Sequence, residues 1–211
     1  MLKETKKRGL FIVFEGIDGA GKTTQINNLK DHLEAKGRKV HLTAEPTGSA
    51  TGVLIRRALS GEIKKSECEM ATLFALDRII HNTDEECGIE RMLSEGYDVL
   101  CDRYYYSSLA YQGSSTDFEW VKAMNLSCPE IRVPDACVFL DLTPQESLAR
   151  ITRDRDKIEI YETEEKLTAV RNKFYHVFKM LEGRERVFIV SSAGTIESVA
   201  KEIFDQIDTL L

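Results

Sequence analysis

Residues 16–23 read Gly-Ile-Asp-Gly-Ala-Gly-Lys-Thr, a G-x-x-x-x-G-K-[ST] pattern whose glycines let backbone N–H groups turn toward a phosphate chain. Gly16, Gly19, Ala20 and Gly21 would form the cradle, and Lys22 would reach the terminal phosphates. The Thr23 hydroxyl would ligate Mg²⁺ at the positive end of a helix that continues through Thr24. An apolar run precedes the pattern and helical periodicity follows it, as the motif requires. The same loop serves kinases, GTPases, ATPase motors and nucleotide sensors. A GTPase would read guanine with N-K-x-D after a later strand; the comparable place here is DLTPQESLAR, with no Asn-Lys pair.

Two further groupings carry chemistry. Asp102 and Arg103 follow the apolar run YDVLC; a carboxylate there can hold Mg²⁺ directly or through water, and the guanidinium beside it suits a phosphate. The alternative is a solvated pair capping a strand. In MATLFALDRIIHN, Phe74 and Arg78 stand four residues apart, on one helical face. A ring beside a guanidinium can read a flat base by stacking and hydrogen bonds, the alternative being a core phenylalanine and a surface arginine. A third segment, SLARITRDRDKIE, packs Arg150, Arg153, Arg155 and Lys157 together, with a solvated helix end as its plainer reading.

The elements that must position these residues are legible as five short apolar runs: LFIVF (10–14), KVHLTA (39–44), YDVLC (97–101), ACVFLDL (136–142) and RVFIV (186–190). Each reads as a buried strand. Helical periodicity occupies 22–35, 68–94, 144–153, 164–181 and 196–210. Strand alternating with helix predicts right-handed crossovers and a mostly parallel sheet with helices on both faces, forming one α/β domain over 1–211. In such sheets ligands bind beyond the carboxyl ends of the strands, where Asp18, Asp102 and Arg103 fall.

Composition narrows the partners. A formal net charge of −6 argues against a nucleic-acid polymer. The five cysteines include no C-x-x-C pair, and an odd count poorly fits a disulfide framework, so the expected home is a reducing cytoplasm. Cys101 and Cys137 lie in apolar runs and read as core. The apolar run after the basic N-terminus is too short for an export signal or a membrane span.

In order and interval, FEGIDGAGKTTQ, AEPTG, LFALDR and DRYYYSSLAYQG resemble the thymidylate kinase family, P-loop enzymes that phosphorylate dTMP with ATP and Mg²⁺. The resemblance implies a three-layer P-loop NTPase fold, a homodimer with the 68–94 stretch as candidate interface, and a short lid over about 150–162. It implies that Phe74 stacks on thymine, Arg78 bonds its edge, and Ser108 and Gln112 lie nearby. Arg103 would grip the acceptor phosphate and Asp18 the sugar 3′-hydroxyl, while Tyr111 would fill the space a ribose 2′-hydroxyl needs. Glu45, Pro46 and Thr47, with Arg56, would line the monophosphate site, where EPTG departs from the commoner Glu-Pro-Gly-Gly. Phosphoryl transfer needs an added cation, and the loop between Asp18 and Lys22 holds none, so Arg153 or Arg155 of the lid is expected to supply it, with Arg150 against adenine. No general base is required, because the acceptor phosphate has a second pKa of about 6; His32, His41, His81 and His176 read as structural or surface residues. Rival readings are a kinase for another nucleoside monophosphate or deoxynucleoside, and a nucleotide-binding module without turnover.

Overall fold

A computed structural model describes residues 8–154 and 163–211. Its five strands are β1 (Phe11–Glu15), β2 (Lys39–Ala44), β3 (Tyr97–Asp102), β4 (Ala136–Asp141) and β5 (Val187–Ser191). They form one sheet in the order β2-β3-β1-β4-β5, with every pairing parallel. β1 therefore lies between β3 and β4, and the chain crosses first to one side of it and then to the other. That reversal opens a crevice at the carboxyl ends of the central strands.

Alternation along the central strands divides the core. Phe11, Val13, Cys101, Cys137 and Phe139 face one side, packed on α5 (Tyr105–Ser115) and α8 (Glu164–Leu181) through Leu109, Phe174 and Phe178. Ile12, Phe14, Leu100, Val138 and Leu140 face the other, packed on α1 (Lys22–Ala35) and α9 (Ile196–Asp208) through Leu29, Leu33, Ile203 and Ile207. Both cysteines are thus core residues.

The helical stretch expected over 68–94 is two helices, α3 (Glu67–Thr83) and α4 (Ile89–Ser94). Asp84 ends the first: its Oδ1 accepts from the backbone of Glu86 (2.9 Å) and Cys87 (2.8 Å), a local bond set that competes with helix. α3 starts under a capping box in which Ser66 and Glu69 satisfy each other's backbone N–H groups. Three helices lie outside the expected stretches: α2 (Ala50–Leu59), α5, and α6 (Phe118–Leu126), which carries the single tryptophan, Trp120. The remaining helix, α7, spans Pro144–Asp154.

Candidate active site

The loop from β1 to α1 wraps around open backbone donors. Gly16 (φ 149°) and Gly19 (φ 73°) occupy conformations that side chains rarely adopt, and a Cβ on Gly16 would also lie 2.8 Å from the Leu140 carbonyl. Gly21 caps α1 without a side-chain bond, which leaves the first N–H groups of the helix for a ligand. Lys22 Nζ rests on the carbonyls of Gly16 (3.2 Å) and Ile17 (3.4 Å). Burial, with the Arg103 charge adding to it, lowers its pKa below the ordinary lysine value. The loop is braced from outside: Ser147 Oγ donates to Asp18 O (2.6 Å) and Ser192 Oγ to Ala20 O (2.5 Å). Arg150 donates to Gly19 O (3.2 Å) and Ser192 O (2.9 Å). Gly19, Ala20, Gly21, Lys22, Thr23, Thr24, Asp102 and Arg150 line a cavity of about 780 Å³ over the loop; Gly16 shapes the turn behind it.

At the end of β3, Arg103 has φ 69°, the left-handed region. Its backbone N donates to Phe14 O (2.9 Å), and its guanidinium pairs with Asp18, reaches Ser107 Oγ (3.1 Å) and lies over the Tyr111 ring. Burial opposes its charge, but Asp18, Tyr111, Asp102 and Glu15 outweigh that and push its pKa well up. Asp102 Oδ1 is buried with no hydrogen-bond partner, which is what a carboxylate waiting for a cation would show. With Thr23 across the same cavity, the residues fit Mg²⁺, a hard cation that needs few protein oxygens beside phosphates and water.

Glu15, fully buried at the end of β1, has no place among the sequence-predicted site residues. It accepts from Tyr104 N (2.8 Å), Ser107 N (3.1 Å) and Ser107 Oγ (2.6 Å), and so caps α5, whose own N-cap residue provides no side chain for the purpose. Burial raises its pKa to about 7 against the opposing pull of Arg103 and these hydrogen bonds.

A second cavity, about 270 Å³, lies beyond Arg103. Asp18, Glu45, Pro46, Arg56, Phe74, Arg78, Arg103, Ser108, Tyr111 and Gln112 all line it. The simple alternative for α3 is reversed: Phe74 is half-buried in the cavity wall, whereas Arg78 is 1 % exposed. Arg78 Nη1 donates to Ser108 Oγ (3.2 Å) and Asn125 Oδ1, Nη2 donates to Glu45 Oε2 (2.6 Å), and Nε has no partner. Arg56 holds the carbonyls of Pro46 (2.8 Å) and Thr47 (2.7 Å). At the departure from Glu-Pro-Gly-Gly, the Thr47 hydroxyl and backbone N both donate to Asp77 at 2.7 Å, so this residue ties the loop to α3. Asp18 and Arg103 belong to both cavities. The Arg153 side chain, Arg155 and most of the expected lid lie outside the described residues.

The thymidylate kinase family model matches residues 14–203, a span that takes in both cavities. The chain belongs to the thymidylate kinase family. A probable thymidylate kinase of Pyrococcus horikoshii is 42 % identical over 204 residues, covering 93 % of this chain and 94 % of its own. One of Methanococcus aeolicus is 38 % identical over 201 residues (93 % and 95 %), and the thymidylate kinase of Bifidobacterium longum subsp. infantis is 34 % identical over 212 (96 % and 88 %). In this thymidylate kinase family member the cavity over the phosphate loop and the Phe74–Arg78 cavity share the Asp18–Arg103 pair as a wall.

Proposed function

We propose that the chain transfers the γ-phosphoryl group of ATP to dTMP, giving ADP and dTDP, with Mg²⁺ bound at Thr23 and Asp102. The observation that carries this reading is the pair of cavities sharing Asp18 and Arg103. A donor phosphate chain on Gly19 to Thr24 and an acceptor monophosphate beside Arg103 would meet at that shared wall. The reacting atoms would be held close, which supplies much of the rate in phosphoryl transfer. Mg²⁺, when bound, neutralises charge on the donor phosphates.

Lys22 holds the donor's terminal phosphates, and Arg103 orients the acceptor phosphate, whose second pKa of about 6 leaves it largely deprotonated at neutral pH. An acceptor oxygen forms its bond to phosphorus as the bridging P–O bond breaks, and ADP departs with that electron pair. Phe74 stacks on the base, Arg78 with Ser108 and Gln112 meets its polar edge, Asp18 takes the 3′-hydroxyl, and Tyr111 excludes a 2′-hydroxyl. Glu45, Pro46 and Arg56 shape the monophosphate site, and Arg150 lies along the adenine side. Arg153 or Arg155 brings the added cation from a lid over about 150–162 of a single domain.

We further assign the working form as a cytoplasmic homodimer. Val53 and Leu76 are exposed apolar side chains on α2 and α3, helices that touch each other, and support a covered face there, and among the described residues no helix is long and apolar enough to cross a membrane. Sedimentation of the chain and of Leu76→Asp tests the dimer, which the charge should dissociate.

The deciding experiment follows ADP formation from ATP and Mg²⁺ against dTMP, dUMP, UMP, CMP, GMP and thymidine, with products identified by chromatography. dTDP as the fastest-formed product is expected. ATP binding with no acceptor phosphorylated would overturn the reading in favour of a nucleotide-binding module.

A further inference from the structure

Arg78 is 1 % exposed, so its guanidinium depends on fixed acceptors for both compensation and direction. Its oppositely charged partner is Glu45, which meets Nη2 through one oxygen, Oε2, at 2.6 Å. The other oxygen is held by His81 Nδ1 at 3.0 Å, and His81 Nε2 meets Thr43 Oγ1 at 2.6 Å. A carboxylate oxygen accepts, so the proton of the His81–Glu45 bond is on Nδ1, while Nε2 is bonded to the Thr43 hydroxyl. Thr43 sits on β2 and His81 lies one turn beyond Arg78 on α3. The bonded series Thr43–His81–Glu45–Arg78 therefore pins the carboxylate between a strand and a helix. Held at both oxygens, it cannot swing about its last torsion away from Nη2.

We propose that His81, backed by Thr43, is a positioning residue for base recognition: by holding Glu45 it keeps the Arg78 guanidinium aimed into the acceptor cavity. This inference rests on the dTMP kinase reading above. His81 does not itself line that cavity, so its effect reaches the nucleotide through two other side chains. Removing it should weaken the acceptor nucleotide and leave the donor untouched.

The test compares kcat and KM for dTMP and for ATP in the unmutated chain and in His81→Leu, His81→Asn and His81→Gln. Asparagine places an amide nitrogen near the Nδ1 position, and glutamine places one near Nε2. His81→Leu is expected to raise KM for dTMP about ten- to hundredfold, the range for losing a hydrogen bond to a charged group. Its kcat and its KM for ATP should stay within about threefold. His81→Asn should recover most of the dTMP affinity and His81→Gln should not. If a thermal melt shows that His81→Leu does not fold, the Asn and Gln pair carries the same decision. An unchanged KM for dTMP in His81→Leu, or equal losses in the Asn and Gln variants, overturns the inference. Failure of the unmutated chain to make dTDP would overturn the functional reading instead.

Discussion

Arg103 holds a left-handed backbone that costs a non-glycine residue about 1–2 kcal/mol, and the residues around it show how that cost is met. Its N–H is fixed by Phe14 O, and the next N–H along the chain, that of Tyr104, donates to Glu15 Oε1. Glu15 is thus the point at which the first strand fixes the backbone just beyond Arg103. Its proton equilibrium makes this testable. The folded pKa of about 7 stands above the ordinary 4.5, so between those values the folded chain retains a proton that the unfolded chain has lost. Stability therefore falls as pH rises through that window, by at most about 3 kcal/mol from this group. Glu15→Gln, whose amide carbonyl still accepts from Tyr104 and Ser107, should remove that contribution. Urea unfolding at pH 5 and pH 8 should show the variant gaining on the unmutated chain at the higher pH; a constant difference would contradict it. The sequence did not single out Glu15, because its partners lie 89 and 92 positions away and no local pattern connects them. Lys22, Thr23, Asp102 and Arg103 were legible because a phosphate loop and a strand end are local signals.

α3 joins the smaller cavity to the loop that follows β2. One face presents Phe74 and Arg78 to the smaller cavity, while Asp77 accepts from Thr47 N, Thr47 Oγ1 and Ser49 Oγ, all at 2.7 Å. Ser49 in turn caps α2 by accepting from Gly52 N. One buried carboxylate thus locks the loop after β2 and the start of the next helix. Asp77→Asn should destabilise the fold by about 1–3 kcal/mol, because an amide cannot accept at both ends. It should also raise KM for dTMP more than KM for ATP, as thermal melts and initial rates would show. Which helices were legible follows from their surfaces. α8 and α9 carry ordinary apolar stripes, whereas α5 buries Tyr105, Tyr106, Ser108, Leu109, Ala110, Gln112 and Gly113, so no polar face exists to reveal a period. The break at Asp84 was hidden because apolar residues resume at helical spacing beyond it.

Across the whole molecule, the all-buried central strands made the α/β class readable, but strand order depends on pairings such as Phe11 with Val99 and Ile12 with Ala136, which no local pattern encodes. The same topology puts the two cavities side by side around Asp18 and Arg103. A single ligand joining adenosine to thymidine through a polyphosphate should accordingly raise the melting temperature more than equal concentrations of ATP and dTMP together, since the second contact becomes intramolecular. Arg103→Ala should shrink that advantage. α6 adds one more property. It supplies Asn125 to Arg78 and also carries Trp120, the chain's single tryptophan, 38 % exposed. The protein therefore contains its own optical reporter, on the helix that also supplies a hydrogen-bond acceptor to Arg78. Titration with dTMP alone should shift the tryptophan emission and titration with ATP alone should leave it in place, giving each cavity a separate readout from unlabelled protein.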